Sequence, residues 1–305
     1  METAELNVVT GAFSYTGKYI TQRLLSMGKR VRTLTGHPNR ENPFGNEVST
    51  SPFNFDNQSK LVKSLQGATT LYNTYWVRFP RGQVTFDKAV ENTKRLIKAA
   101  EEAGIHRIVH ISITNASEES AFHYFRGKGL IEKAIIHSKL SYAILRPTVI
   151  FGPEDILINN IAWLLRRFPI FVVFGSGGYR IQPVFVEDVA EMAVSAGHKD
   201  DNIVMDAVGP ETYTFDELVR LIADKIHRRP RIVHLSPGLA LFLGRLIGYT
   251  LGDVMITKDE IGGLMSNLLV SEGPATGQTR LSEWLSQNAD SVGAKYASEL
   301  ERHYR

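Results

Sequence analysis

Tyr124-Phe125-Arg126-Gly127-Lys128 sets a phenol and an ammonium four residues apart, a spacing that puts both on one face of a helix. An ammonium beside a tyrosine stabilises the phenolate and draws its pKa from about 10 toward a working pH. A tyrosine tuned in this way can give or take the proton that accompanies hydride transfer at a carbonyl or alcohol carbon. Hydride transfer needs a dinucleotide, and a second cluster offers a place for one. Thr10-Gly11-Ala12-Phe13-Ser14-Tyr15-Thr16-Gly17 lies between an apolar run and an amphipathic run, the context in which a glycine loop faces a pyrophosphate. Gly11 permits the tight turn, Gly17 permits close helix packing, and the amides at the helix start point at phosphate. Ser14 stands where such loops usually carry their middle glycine, so its Cβ either crowds the phosphates or its hydroxyl donates to one. After the next apolar run, Thr35-Gly36-His37-Pro38-Asn39-Arg40 contains no acid to hold a ribose 2′-hydroxyl. Thr35, His37 and Arg40 suit a 2′-phosphate instead, which favours NADP(H) over NAD(H).

Alternating segments of strand and helix character must position these groups, an arrangement that makes βαβ units and a parallel sheet. Strands are expected at Leu6 to Thr10, Arg30 to Thr35, Phe53 to Phe55, Thr69 to Asn73, Ile108 to Ile111 and Tyr142 to Leu145. Helices are expected at Lys18 to Met27, Ser59 to Leu65, Phe86 to Ala103 and Tyr124 to His137, with Val90, Leu96, Ile97 and Ala100 of the third facing inward. Beyond Arg146-Pro147, Gly152-Pro153, Phe168-Pro169 and Gly175 to Gly178 break the chain into shorter pieces. The reading is an α/β chain with a dinucleotide-binding domain at 1–150, to which 184–194 returns, and a smaller discontinuous lobe at 151–305. Leu235 to Met255 is apolar but broken by Pro237, four glycines, Arg245 and Asp253, and is read as a buried helix pair rather than a membrane span, with an interfacial or partner-binding face as the alternative.

The chain's 35 basic and 32 acidic residues leave a net charge of +3, too little for an extended phosphate-backbone surface, so a nucleic-acid partner is not expected. With no cysteine among the 305 residues, disulfides, thiolate zinc sites and cysteine nucleophiles are excluded. The glycine loop begins within ten residues of Met1, which leaves no room for a secretion signal and makes a cytoplasmic location the default expectation.

These motifs resemble the extended and atypical short-chain dehydrogenases/reductases, particularly the branch with NAD-dependent epimerase/dehydratase-like proteins and the nucleotide-binding accessory subunit of respiratory complex I. The resemblance spans essentially the whole chain. Besides the glycine loop and the Tyr-Lys pair, it rests on Asp56, Asn92, Arg107 to Ser112, Leu145-Arg146-Pro147-Thr148-Val149-Ile150-Phe151-Gly152-Pro153 and Pro183 to Ala190. It implies a doubly wound Rossmann domain in which Asp56 binds the adenine amino group and Asn73, Thr74, Tyr75 and Trp76 pass beneath the cofactor. It also implies that Pro147 borders the cofactor, that Lys128 holds the nicotinamide ribose, and that Glu132 fills an acidic position one turn later. A serine or threonine after the fifth strand is the third catalytic member, either Thr114 or Ser112, with Thr114 preferred. Read without the family, Asp56 is a helix N-cap and Asn73 a strand-end turn residue.

Two functions from different classes follow. One is an NADP(H)-dependent oxidoreductase acting on an unidentified carbonyl or alcohol through Tyr124 and Lys128. The other is a nonenzymatic cofactor-holding subunit or redox sensor whose C-terminal lobe meets a protein or a membrane surface. The short interval from Thr114 to Tyr124 speaks against a sugar-nucleotide epimerase. No metal site is expected: His106 and His110 sit on an apolar strand with no acid nearby, Glu187 and Asp188 point apart or cap a helix, and Arg228 to Arg231 form a solvated turn.

Overall fold

A computed structural model describes residues 5–39 and 41–304. The chain divides into two compact units: residues 1–147 with 187–206, and residues 148–186 with 207–305.

The first unit is a sheet sandwiched by helices. In chain order its elements are β1 (Leu6–Thr10), α1 (Tyr15–Ser26), β2 (Arg30–Thr35), β3 (Val48–Pro52), α2 (Gln58–Leu65), β4 (Thr70–Asn73), α3 (Phe86–Glu102), β5 (Arg107–Ile111), α4 (His123–Ile136) and β6 (Ser141–Pro147). They form a parallel sheet in the order β6-β5-β4-β1-β2-β3, and the strand Ile203–Ala207 lies beside β6 as the seventh. The order reverses between β1 and β4, and ligands of doubly wound sheets bind at the carboxyl ends of the strands at such a switch point. β1 and β5 are buried at every position, as strands covered on both faces must be. Leu61, Leu65, Leu96, Ile97, Ile131 and Ile135 fill one side of the sheet from α2, α3 and α4.

The third strand is not Phe53 to Phe55 but the more polar Val48–Pro52, at the edge of the sheet and with Val48 buried. An edge strand needs few apolar residues, so its hydrophobic signal was weak. Phe53 and Phe55 lie in the following loop, stacked at 4.7 Å and each 5.0 Å from Tyr75.

The second unit packs the helices Leu157–Arg167, Phe215–Lys225 and Leu281–Gln287 around Phe151, Phe174, Tyr179, Ile222 and Trp284, with the parallel strand pair Ile170–Phe174 and Arg231–Leu235. Leu235 to Met255 is not a buried helix pair. It forms one helix, Pro237–Leu251, closed by Gly252 at φ 63°, and only Ala240 and Gly248 of that helix are buried. No helix among the described residues is long and apolar enough to cross a membrane.

Candidate dinucleotide site and the Tyr124–Lys128 pair

Gly11 carries the turn out of β1 at φ 65° and donates its N–H to Leu34 O at 2.8 Å. A Cβ on Gly17 would meet Gly11 O at 2.1 Å, so only glycine lets α1 approach the loop this closely. Ser14 is the N-cap of α1, yet its hydroxyl does not cap the helix or turn outward to a phosphate; it donates to Gly11 O at 2.5 Å. The first turn of α1, Tyr15, Thr16 and Gly17, thus lacks a side-chain cap, which suits an anion in front of it. Phe13 is half-buried, its ring 6.4 Å from that of Phe44. A glycine cradle that a Cβ would fill, opening on a helix start without a side-chain cap, fits a dinucleotide pyrophosphate.

At the end of β2, the Thr35 hydroxyl accepts from His37 N–H at 3.1 Å, and His37 is exposed. Arg40 lies outside the described residues. Asp56 is exposed in the turn after β3, but the N-cap of α2 is Asn57, whose side chain accepts from Lys60 N–H at 3.0 Å.

Asn73 is fully buried at the end of β4 rather than exposed in a turn. Its Oδ1 accepts from the Thr10 hydroxyl at 3.2 Å and from Tyr75 N–H at 3.2 Å, and its Nδ2 lies 3.1 Å from His110 Nδ1. Thr10 Oγ1 in turn accepts from the N–H groups of Thr74 and Tyr75, while the Thr74 hydroxyl donates to Thr10 O. This network ties the loop after β4 to β1 and β5 at the switch point. His110 is a buried strand histidine: burial, reinforced by the charge of Lys128, holds its pKa well below the usual range and keeps the ring neutral. His106 differs from the expectation: it lies just before β5 rather than in it, and its Nε2 meets Asp200 Oδ1 at 3.2 Å in an exposed pair.

Tyr124 and Lys128 both lie on α4. Tyr124 is half-buried, its ring edge-on to Trp76 at 5.7 Å and to Phe86 at 6.0 Å. Lys128 is 3% exposed, donates to Ile111 O at 2.7 Å, and holds its ammonium 5.0 Å from the centre of the Trp76 ring. Burial lowers its pKa to about 7, against the opposing pull of the Glu132 carboxylate. Two glycines flank the lysine for a steric reason. A Cβ on Gly127 would come within 2.5 Å of Trp76, and one on Gly129 within 2.4 Å of the backbone at Ser117 and Glu118. Glycines inside a helix cost about 1 kcal/mol each, and here they admit an indole and a loop against the helix surface. They were the sequence signal for the Trp76–Lys128 contact, which the residue reading missed.

The two hydroxyl candidates are both buried, and one is committed. Ser112 donates to Glu132 Oε1 at 2.5 Å, and Glu132 pairs with Arg146 through bonds of 2.5 to 3.1 Å. Ser112 therefore serves a buried carboxylate. Thr114 is 1% exposed; its N–H donates to Pro147 O at 2.9 Å, and its hydroxyl accepts from Asn115 Nδ2 at 3.5 Å. Pro147 thus fixes Thr114 beside the end of β5. No group of three or more metal-ligating side chains occurs among the described residues.

With this geometry in view, residues 11–155 match the family model described as NAD(P)H-binding. The chain is 27% identical over 284 residues to the mitochondrial NADH dehydrogenase [ubiquinone] 1 alpha subcomplex subunit 9 of Arabidopsis thaliana, covering 87% of this chain and 70% of that protein. Among solved structures it resembles a nucleoside-diphosphate-sugar epimerase of Staphylococcus aureus, with a TM-score of 0.74 at 16% identity, covering 92% of this chain and 99% of that one. It likewise resembles an NADPH-dependent quinone oxidoreductase of Escherichia coli complexed with NADPH, with a TM-score of 0.73 at 19% identity and the same coverage. Residues 11–155 thus match an NAD(P)H-binding family model, and the chain shares its Rossmann-like α/β fold with these epimerase and reductase structures.

Proposed function

We propose that this chain is an NADP(H)-dependent oxidoreductase in which Tyr124 exchanges the proton at a carbonyl or alcohol oxygen and Lys128 supports it. The carrying observation is the burial of Lys128 with a backbone carbonyl and an indole face against its ammonium and no salt bridge to it among the described residues. A buried cation without a salt bridge costs several kcal/mol, and an apolar side chain of that size would serve the fold better. Such groups persist where chemistry uses them. When bound, the nicotinamide supplies or accepts the hydride. Lys128 then holds the ribose and biases Tyr124 toward the phenolate, while Thr114 orients the reacting oxygen. The preference for NADP(H) rests on Thr35-Gly36-His37 after β2, which offers hydrogen bonds and no carboxylate to a 2′-phosphate.

A second reading, a subunit that holds the cofactor without turnover, is favoured by Ser112 being spent on Glu132 and Thr114 being sealed at 1% exposure. A Tyr124→Phe variant separates the two. Under the first reading, carbonyl reduction with NADPH falls at least about a hundredfold while NADPH affinity by calorimetric titration is unchanged. Equal turnover in variant and parent removes Tyr124 from the mechanism and leaves the holding role.

A further inference from the structure

The helix Pro237–Leu251 carries a single charged residue, Arg245, in fifteen. An apolar helix of this kind belongs in a core on all sides, yet this one is covered on one side only. Ala240 and Gly248 face inward, and a Cβ on Gly248 would meet Asp253 O at 2.6 Å. On the other side Leu239, Phe242, Leu246 and Tyr249 are 48%, 62%, 54% and 88% exposed. At 3.6 residues per turn their spacing confines them to an arc of about 80°. They make one stripe along a helix roughly 22 Å long.

The charge of the sequence that carries the stripe favours one occupant. From His227 to Gly252 the chain holds four arginines, two histidines and no acid. Arg228, Arg229, Arg231 and Arg245 are all exposed. We propose that this helix lies along an anionic phospholipid surface, with Phe242, Leu246 and Tyr249 entering the headgroup boundary and the arginines meeting lipid phosphates. Interfacial helices combine an apolar face with basic residues in this way. Four side chains in a stripe are few for a protein partner or a second copy, since stable interfaces engage roughly 20–30 residues a side. Lipid needs no such footprint. The helix is too short to span, which matches a surface position.

The test is co-sedimentation of the full chain with phosphatidylcholine vesicles, with and without roughly one-third phosphatidylglycerol. Binding to the anionic vesicles should exceed that to neutral ones about tenfold and weaken as salt is raised. The Phe242→Ser/Leu246→Ser variant, altered only at exposed positions, should lose about tenfold in binding at unchanged circular dichroism and NADPH affinity. Arg228→Gln/Arg229→Gln should bind less and depend less on salt. No binding to anionic vesicles, or equal binding by the serine variant, overturns the proposal. So does a dimer in sedimentation velocity that the serine variant dissolves, which would assign the stripe to a second copy. A failure of NADPH binding leaves this result untouched, because the vesicles contain no nucleotide.

Discussion

Lys128 joins stability and function in one side chain. Its pKa of about 7 in the folded chain lies far below the 10.5 of a free lysine. Between those values the unfolded chain holds a proton that the folded chain has released, so stability rises with pH across that window, by up to about 1.4 kcal/mol per unit. Below pH 7 both states are charged and the burial penalty is at its full size. Lys128→Met should therefore melt higher than the parent near pH 6, with the margin shrinking toward pH 10. The same variant should lose about tenfold in NADPH affinity if the ammonium holds the ribose. A margin that does not change with pH would show that the lysine titrates normally. The sequence made the Tyr124–Lys128 spacing visible, but not the state of the lysine, because burial arises from Trp76, fifty-two positions earlier. Ser112 makes the same point: its partner carboxylate, Glu132, was legible as a position and not as the acceptor of that hydroxyl.

At the scale of elements, the strands covered on both faces were legible and the edge was not. Leu6–Thr10 and Arg30–Thr35 have the observed bounds because burial on both faces selects continuous or alternating apolar residues. Val48–Pro52 escaped because it sits at the sheet edge, where Ser, Thr and Pro suffice and blunt further pairing. Helix α4 shows how a local rule is broken for a purpose. Gly127 weakens the helix and lets Trp76 lie against it. Gly127→Ala should raise intrinsic helix propensity yet destabilise the protein by about 1–3 kcal/mol, through a Cβ that displaces the indole. The accompanying change in tryptophan emission separates this from a loss elsewhere. An alanine variant that is more stable, with unchanged emission, would mean that Trp76 does not press on the helix.

For the molecule as a whole, a bound dinucleotide is a folding ligand. NADPH at a hundred times its Kd should stabilise the folded state by about 2.7 kcal/mol, and NADH at the same concentration by less if a 2′-phosphate is recognised. Equal shifts in melting temperature would refute the NADP(H) preference and leave the NAD(P)H-binding assignment standing. The apolar run 235–255 was legible as a helix former, but its burial was not, since burial depends on which neighbours the fold brings to it. Arg107 was legible only as part of a motif, and its role follows from chain order. From β5 this buried guanidinium donates to Ala196 O at 2.7 Å, to Asp201 O at 2.9 Å and to the Ser141 hydroxyl. Two of those three partners are made about ninety residues after Arg107 itself. A nascent chain leaving the ribosome therefore carries an arginine that lacks two of its three protein partners, and an unpaired β6 edge, until residues 187–207 emerge. During that interval the growing sheet is open to mispairing, and completion of the return segment ends its exposure.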